Sequence, residues 1–115
     1  MAEEFVWQIE IHDDFRYAEF LASLLPDQAL EVAFFLEAIR GYSDLSAAPR
    51  SWVKPLGSGL FEFRIQGHGL LVRVFFAYKK GKIILLLGAY NKGGDSSKKR
   101  QNQEISLAKK RLRNA

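Results

Sequence analysis

The sequence of 115 residues contains no cysteine and only two histidines. Without cysteine the chain has neither a disulfide framework nor a thiol nucleophile, which fits a reducing compartment. His12 and His68 stand far apart, and no other ligand type accompanies them at a spacing typical of zinc sites. We therefore expect chemistry that requires no tightly bound metal and no cofactor.

Long hydrophobic segments are also missing. The apolar run 83–89 is too short to cross a bilayer, and the N-terminus carries acidic residues where a signal peptide carries basic ones. These features predict a cytoplasmic protein without a membrane partner. Since 48% of the residues are hydrophobic, the chain is long enough for one core, and we expect a single domain over 1–115.

The net charge is +4, and it is unevenly distributed along the chain. Acidic residues dominate before Glu37, whereas basic residues dominate from Arg40 onward. This asymmetry predicts a polyanionic partner on one side of the molecule. The alternative is that the basic surface serves solubility alone.

Two β-hairpins are predicted in the middle of the chain. Strands at 60–66 and 70–78 flank the sequence Gly67-His68-Gly69, and a turn at 79–82 leads to a third apolar strand that ends at Lys92. An even number of residues in the first loop, for example Gly67 and His68 alone, places Arg64 opposite Leu71 and Glu62 opposite Arg73. The other face is then predicted to be apolar, with Phe61, Phe63, Ile65, Leu70, Val72, Val74 and Phe76. A slip by one residue would bury the charge of Arg64, so the even register is favoured.

The second hairpin extends the same separation of faces. With Tyr78 opposite Ile83, Gly88 falls opposite Arg73, and the apolar face gains Ile83, Leu85, Leu87 and Ala89. Gly88, Tyr90 and Lys92 then join the two arginines. A face with these residues suits a phosphodiester. The alternative is an ordinary ion pair between Glu62 and Arg73 on the wet face of an antiparallel sheet.

The N-terminal third has the pattern of a strand followed by a helical hairpin. Apolar residues alternate over 5–11, Asp13 or Asp14 precedes a helix that ends at Pro26, and Asp27 precedes a second helix that ends near Gly41. The apolar side of this second helix is predicted to contain Leu30, Ala33, Phe34, Leu36 and Ala38. The segment 42–55 is predicted to be a connecting loop in which Trp52 packs back and Lys54 lies just before the sheet.

An amphipathic basic helix is predicted at the C-terminus, after a turn at 93–97 that offers several caps. Ile105, Ala108 and Leu112 form its apolar stripe. Lys98, Lys99 and Arg100 stand at its start, where cations oppose the helix dipole, and binding of phosphate groups accounts for them. The alternative is a solvated run of charge. The pattern as a whole predicts an α+β fold, with the N-terminal strand and helical hairpin packed on a small antiparallel sheet.

The run from Lys54 to Arg64, which reads Lys-x-Leu-x-x-Gly-Leu-Phe-Glu-x-Arg, carries a family resemblance. Together with Leu71-Val72-Arg73-Val74 and Tyr90-Asn91-Lys92-Gly93, it resembles the RelE/ParE toxin superfamily, in its HigB-like or phage Gp49-like branch. Arg100-Gln101 and Glu104-Ile105 also match this branch. The resemblance extends from residue 54 to residue 112, and the RelE-like fold it implies agrees with the pattern described above.

The resemblance implies a toxin of a type II toxin–antitoxin pair. Proteins of the RelE and HigB branches are endoribonucleases that cleave mRNA, usually on the ribosome, and a cognate antitoxin, often of the helix-turn-helix type, silences them. Proteins of the ParE branch instead poison DNA gyrase. A gyrase-directed toxin and a non-catalytic module that binds nucleic acid or antitoxin therefore remain alternatives.

The resemblance also assigns site residues. Arg64 and Arg73 match the strand arginines, Lys54 matches the lysine before the hairpin, and Lys92 matches the first lysine of a pair. Gly93 replaces the second. In RNA cleavage the 2′-hydroxyl attacks the adjacent phosphorus, so the arginines would stabilise the charge that develops on the phosphate oxygens.

The proton transfers of that reaction would be carried out by Tyr90, a lysine or Glu62. Crowded cations favour the deprotonated form of a neighbouring group. We therefore expect either that the pKa of Tyr90 is lowered towards the working pH or that Lys92 takes this role. The alternative for Tyr90 is that it stacks on a base or closes the edge of the sheet.

Overall fold

The computed structural model describes residues 6–42, 48–67 and 70–115. The elements, in chain order, are β1 (Gln8–Ile11), α1 (Tyr17–Ala22), α2 (Pro26–Arg40), a 3₁₀ turn (Arg50–Trp52), β2 (Val53–Gly57), β3 (Leu60–Gly67), β4 (Leu70–Lys79), β5 (Ile83–Asn91) and α3 (Lys98–Arg113). Phe5, residues 43–47 of the predicted loop, and the turn residues His68 and Gly69 lie outside the described residues.

The five strands form one sheet in the order β1-β5-β4-β3-β2. The last four strands pair antiparallel, whereas β1 pairs parallel with β5 at the sheet edge. The predicted α+β class is therefore confirmed, including the pairing of the N-terminal strand with the sheet. The sheet is mixed rather than purely antiparallel, because the helical hairpin carries the chain back between β1 and the rest of the sheet.

The register of the first hairpin differs from the predicted one by two residues. Arg64 pairs with Arg73 and Glu62 pairs with Phe75, so the predicted pairs Arg64–Leu71 and Glu62–Arg73 are wrong. The ladder runs as far as the pair between Gly67 and Leu70, beyond the predicted end of β3. Because the shift is by an even number of residues, every side chain of this hairpin stays on its predicted face.

The second hairpin contains a β-bulge that the sequence pattern did not reveal. Tyr78 pairs with Ile84 rather than Ile83, and the register shifts again beyond Phe76, so that Leu87 is an extra residue on β5. Gly88 consequently lies opposite Phe75 rather than Arg73, whose partner is Tyr90. Leu85 and Leu87 pack on the face of Tyr90, and their predicted place on the opposite face is wrong.

Both faces of the sheet are covered. The face packed against α1 and α2 carries the predicted set of β3 and β4 residues. Phe61 is partly buried there, and the fully packed members are Phe63, Ile65, Leu70, Val72, Val74 and Phe76. The other face packs against α3 through Leu60, Phe75, Ala77, Leu85, Leu87, Tyr90 and Ala108, with Ile105 and Leu112 at its margin. The predicted apolar stripe of the C-terminal helix is thus confirmed. The face that carries the arginines is a second core rather than an open surface, because this stripe needs an apolar partner.

The helical hairpin begins differently from the prediction. Helix α1 has Arg16 at its N-cap without a side-chain cap, and it ends at Ala22, so neither the aspartate cap nor the end at Pro26 is correct. Pro26 is instead the first residue of α2, a position where a missing N–H costs nothing. The predicted end of α2 at Gly41 is confirmed.

The buried side of α2 was only partly predicted. Val32, Leu36 and Ile39 are buried, whereas Leu30 and Phe34 are 53% and 66% exposed. The buried residues recur at i, i+4 and i+7, and β-branched or leucine side chains at these positions pack on the sheet. Leu30 and Phe34 are also four residues apart, but on the opposite side of the helix. The spacing of apolar residues therefore did not decide which side of α2 is buried.

The segment 42–55, which was predicted to be a loop, includes the first residues of strand β2. Trp52 packs against Phe35 and Tyr42, with ring centroids 5.0 Å and 6.1 Å apart, as predicted for a tethered aromatic residue. Lys54 lies within β2 and pairs with Glu62, whereas the prediction placed it in the loop.

Candidate functional site

Three charged side chains from β3 and β4 meet on the sheet face that packs against α3. The Oε1 atom of Glu62 lies 3.0 Å from Nε of Arg73 and 3.3 Å from Nε of Arg64. The Glu62 side chain is 1% exposed, that of Arg73 is 9% exposed and that of Arg64 is 35% exposed. The ion pair between Glu62 and Arg73 that stood as the alternative interpretation is therefore present, but it is buried and shared with a second arginine rather than lying on a wet face.

The strand geometry explains this cluster. Glu62 and Arg64 are two residues apart on β3 and so project to the same face, and Arg73 is the register partner of Arg64. Lys54, the register partner of Glu62 on β2, adds an exposed cation on that face. Three cations accompany one carboxylate, so the cluster carries an excess of positive charge that suits an anion.

Buried polar atoms without a hydrogen-bond partner concentrate near this cluster. Within the described ranges there are four such side-chain atoms, and three of them, Glu62 Oε2, Tyr90 Oη and Arg111 Nε, belong to the face that α3 covers. An unpaired buried polar group costs about 1–3 kcal/mol. This face therefore retains polar groups that folding alone does not use.

Tyr90 lies on β5 beneath α3, and its register partner on β4 is Arg73. Its ring stacks on Phe75, with centroids 6.1 Å apart, and the guanidinium carbon of Arg100 lies 5.5 Å from its ring centroid. The pKa of Tyr90 is raised, first by burial and then by the charge of Glu62. The expected lowering is wrong, because these two effects outweigh the cations Arg73 and Arg100.

The three basic residues at the start of α3 lie in different environments. Lys98 and Lys99 are exposed. Arg100 turns towards the sheet, and its Nε donates to Oε1 of Glu104 at 2.9 Å. The first turn is held by Ser97, whose hydroxyl accepts from the backbone N–H of Arg100 at 3.2 Å. The two lysines are thus available to a polyanion, whereas Arg100 is already paired.

Lys92 follows β5 at the end of the sheet. Its backbone N–H donates to the carbonyl oxygen of Leu71 at 2.6 Å, and its side chain is half-buried. Gly93, which replaces the second lysine of the family pair, donates its N–H to Oδ1 of Asn91 at 3.0 Å. The site residues proposed from the sequence are therefore spread along one sheet face and its adjoining turn.

Two residues of this region were missed by the sequence analysis. Glu104 is four residues after Arg100, a spacing at which opposite charges pair on a helix, so this contact was predictable. Arg111 has no comparable signal. Its Nη1 donates to the carbonyl oxygen of Leu87 at 2.9 Å, and it fills the space beside Gly88.

The structure adds two observations on metals and membranes. In 6–42, 48–67 and 70–115, no group of three or more His, Asp or Glu side chains is arranged to hold a metal ion. No helix in those same ranges has the length and apolar character required to cross a bilayer.

The fold is shared with a chain in the crystal structure of the archaeal RelE–RelB complex from Pyrococcus horikoshii OT3. The TM-score is 0.50, the sequence identity is 18%, and the alignment covers 76% of this chain and 97% of that chain. At this identity the likeness shows the fold alone. No curated protein matches the sequence.

The family model of phage-derived Gp49-like proteins (DUF891) matches residues 19–113. This match spans most of the chain, including every candidate site residue. The protein therefore belongs to the Gp49-like family and has a RelE-like fold. The resemblance noted in the sequence is confirmed at the level of family and fold.

Proposed function

We propose that this protein is the toxin of a type II toxin–antitoxin pair and acts as an endoribonuclease on mRNA held by the ribosome. The observation that carries the proposal is the cluster of Arg64, Arg73 and Glu62 on a face with excess positive charge. The Gp49-like family and the RelE-like fold support the same assignment. A protein that acts on ribosomes in this way works in the cytoplasm.

Cleavage requires stabilisation of a pentacoordinate phosphorane, in which charge accumulates on the non-bridging oxygens. Guanidinium groups bind two such oxygens through parallel hydrogen bonds, and Arg64 and Arg73 lie side by side in the proposed site. Lys54 and Lys92 provide further positive charge along the same face. The attacking group is the 2′-hydroxyl of the RNA itself, so the reaction we propose is independent of a metal ion.

Tyr90 has a narrower role in this mechanism than a general base. Its raised pKa keeps the phenol protonated at neutral pH, which suits a proton donor to the departing 5′-oxygen. Because the residue is 1% exposed, the segment of α3 that covers it must open before RNA reaches the hydroxyl. In this account one of the two lysines, Lys54 or Lys92, keeps its charge, and the other accepts the proton from the 2′-hydroxyl as a neutral amine, since an ammonium group has no lone pair.

The partners follow from the same surface. Lys98 and Lys99 extend from the start of α3 and bind the RNA backbone, with Arg100 beside them. The cognate antitoxin, which we expect to be of the helix-turn-helix type, silences the toxin. Complex formation between RelE and RelB in the structurally similar archaeal protein supports an antitoxin partner.

The test uses purified protein and ribosomes programmed with a defined mRNA, with primer extension to locate cuts. We expect cleavage with 2′,3′-cyclic phosphate ends, no cleavage of mRNA containing 2′-O-methyl groups at the cut site, and activity that survives chelation of divalent cations after the ribosomes are assembled. Intact mRNA would contradict the proposal. Inhibition of gyrase in a supercoiling assay would then identify a ParE-like toxin, and binding without either activity would identify a non-catalytic module.

A further inference from the structure

Glu62 contacts both candidate phosphate-binding arginines through a single oxygen atom. Both contacts are made to Nε, on the side of each guanidinium group. The end-on edge of a guanidinium, formed by its two Nη atoms, is the part that this contact leaves for a second acceptor. In Arg73 the Nη1 atom also donates a long hydrogen bond of 3.4 Å to the carbonyl oxygen of Val72. The arrangement therefore fixes the orientation of two arginines and leaves the Nη edge of Arg64 and the Nη2 atom of Arg73 for a phosphate.

The shared acceptor also fixes the distance between the arginines. Since both Nε atoms lie within 3.3 Å of one oxygen, they can be no further apart than the sum of the two contact lengths. Two guanidinium groups this close repel one another, and the single carboxylate neutralises only one of them. The remaining positive charge favours an anion that bridges the pair, as a phosphodiester does.

The second oxygen of Glu62 gives independent support. Oε2 is buried without a hydrogen-bond partner in the described residues. A residue retained only for stability would use both oxygens or would be apolar, because an unpaired buried oxygen is costly. Glu62 instead satisfies the arginines and leaves its own second oxygen unpaired.

We propose that Glu62 is the positioning residue of this site, holding Arg64 and Arg73 by their Nε atoms so that the Nη edge of Arg64 and the Nη2 atom of Arg73 face one phosphodiester of RNA. The identity of the ligand rests on the proposed ribonuclease function. Glu62 itself does not touch the phosphate, because its negative charge would repel the anion. Arg64 is the more exposed of the two arginines and provides the entrance from solvent.

The test is the binding of an RNA tetranucleotide with 2′-O-methyl groups, which has phosphodiesters but cannot be cleaved. The readout is the Nε–Hε nuclear magnetic resonance signals of Arg64 and Arg73, assigned with Arg→Lys variants. In the wild type, and in the control Glu37→Gln, which removes the carboxylate of an exposed ion pair with Arg40, we expect both signals to shift together with one dissociation constant.

Glu62→Gln keeps the size of the side chain but removes its charge. We expect the two arginine signals of this variant to move before any RNA is added and to respond separately afterwards, with binding weakened about tenfold. Glu62→Asp keeps the charge and shortens the side chain, so it provides a second test if the glutamine variant does not fold. A positioning role predicts weakened binding here as well, whereas wild-type affinity in this variant would overturn it.

The catalytic readout separates positioning from general destabilisation. We expect Glu62→Gln to lower kcat for ribosome-bound mRNA about 100-fold while KM rises by no more than about tenfold, because misplaced arginines stabilise the transition state less well and affect binding of the ground state to a smaller extent. Wild-type kcat in this variant would overturn the proposal. Failure of both arginines to respond to the RNA in the wild type would also overturn it.

These outcomes remain distinct from failure of the proposed function. If the wild type binds the tetranucleotide through Arg64 and Arg73 but cuts no mRNA on ribosomes, the ribonuclease function fails and the positioning role of Glu62 stands. If the wild type cuts mRNA and Glu62→Gln cuts at the same rate, the ribonuclease function stands and the positioning role fails.

Discussion

Arg111 on α3 donates a hydrogen bond of 2.9 Å from Nη1 to the main-chain carbonyl oxygen of Leu87. Leu87 is the extra residue of the bulge in β5, and its neighbour Gly88 leaves the space that the guanidinium group enters. A Cβ atom on Gly88 would lie 3.3 Å from Nη1 of Arg111. The bulge, the glycine and the arginine thus act together to fix α3 on the sheet.

Arg111→Ala removes this contact and leaves the carbonyl of Leu87 without its side-chain donor. We expect the free energy of unfolding to fall by about 1–2 kcal/mol, the cost of losing a half-buried charged hydrogen bond. Urea denaturation followed by circular dichroism measures the change. Arg113→Ala, an exposed site two residues later, is the control and should leave stability within about 0.5 kcal/mol of the wild type. Equal stability of the two variants would contradict the role of Arg111.

The orientation of α2 predicts opposite results for two residues of similar size. Ile39 is fully buried on the sheet, so Ile39→Ala should cost about 2–5 kcal/mol through lost burial and a cavity. Leu30 is mostly exposed on the other side, and Leu30→Ala should change stability by less than about 0.5 kcal/mol. Thermal unfolding of both variants checks this pair, and the reverse order would show that α2 is rotated.

Tyr90 gives a prediction for alkaline pH. Its pKa in the folded protein is raised above the ordinary value of 10.0, so the unfolded chain loses this proton first as the pH rises. Stability associated with Tyr90 is therefore complete below pH 10 and is lost as the pH rises through the folded-state pKa. The free energy of unfolding of Tyr90→Phe should fall less steeply above pH about 10 than that of the wild type.

Urea titrations at neutral and alkaline pH provide the comparison. Tyr17, whose pKa burial also raises, remains in both proteins and so cancels. Parallel pH profiles for the wild type and Tyr90→Phe would contradict the burial of the Tyr90 hydroxyl. If Tyr90 is also the proton donor, the same variant loses mRNA cleavage at neutral pH while remaining folded.

Lys98 and Lys99 are expected to contribute salt-dependent binding. Each lysine that neutralises a phosphate of single-stranded RNA should add about 0.7 to the slope of log affinity against log salt concentration. The Lys98→Ala and Lys99→Ala variants should each lower the slope by that amount in fluorescence anisotropy titrations with a 2′-O-methyl oligonucleotide. Lys80→Ala, an exposed lysine of the turn after β4, is the control. An unchanged slope in the Lys98→Ala and Lys99→Ala variants would show that these two lysines do not contribute to RNA binding.

The first hairpin shows what the sequence could reveal. Period-two alternation and the cost of burying Arg64 determine which residues share a face. That assignment was correct, although the predicted register differed from the observed one by two residues. The helical stripe of Ile105, Ala108 and Leu112 was equally clear. Such features depend on local periodicity, and that information is present in any short window of sequence.

The rest depends on contacts between distant segments. The bulge at Leu87 is stabilised by Arg111, 24 residues later, and no local pattern announces it. The covering of the arginine face by α3 reversed the expected pKa shift of Tyr90, because burial there outweighs the neighbouring cations. Glu62 contacts two arginines only because Arg64 pairs with Arg73 in the observed register. The alternation of side chains between faces does not determine that register.

The most direct test of the central claim is to map mRNA 5′ ends in a bacterial host within minutes of inducing the wild type or Arg64→Ala. Arg64 is chosen because it is more exposed than Arg73, so its loss should leave the fold intact, and Lys80→Ala is the matched control for removal of a cation. The account predicts new codon-phased cuts with the wild type and Lys80→Ala but none with Arg64→Ala. Identical cuts with Arg64→Ala, or growth arrest by the wild type with intact mRNA, would contradict it.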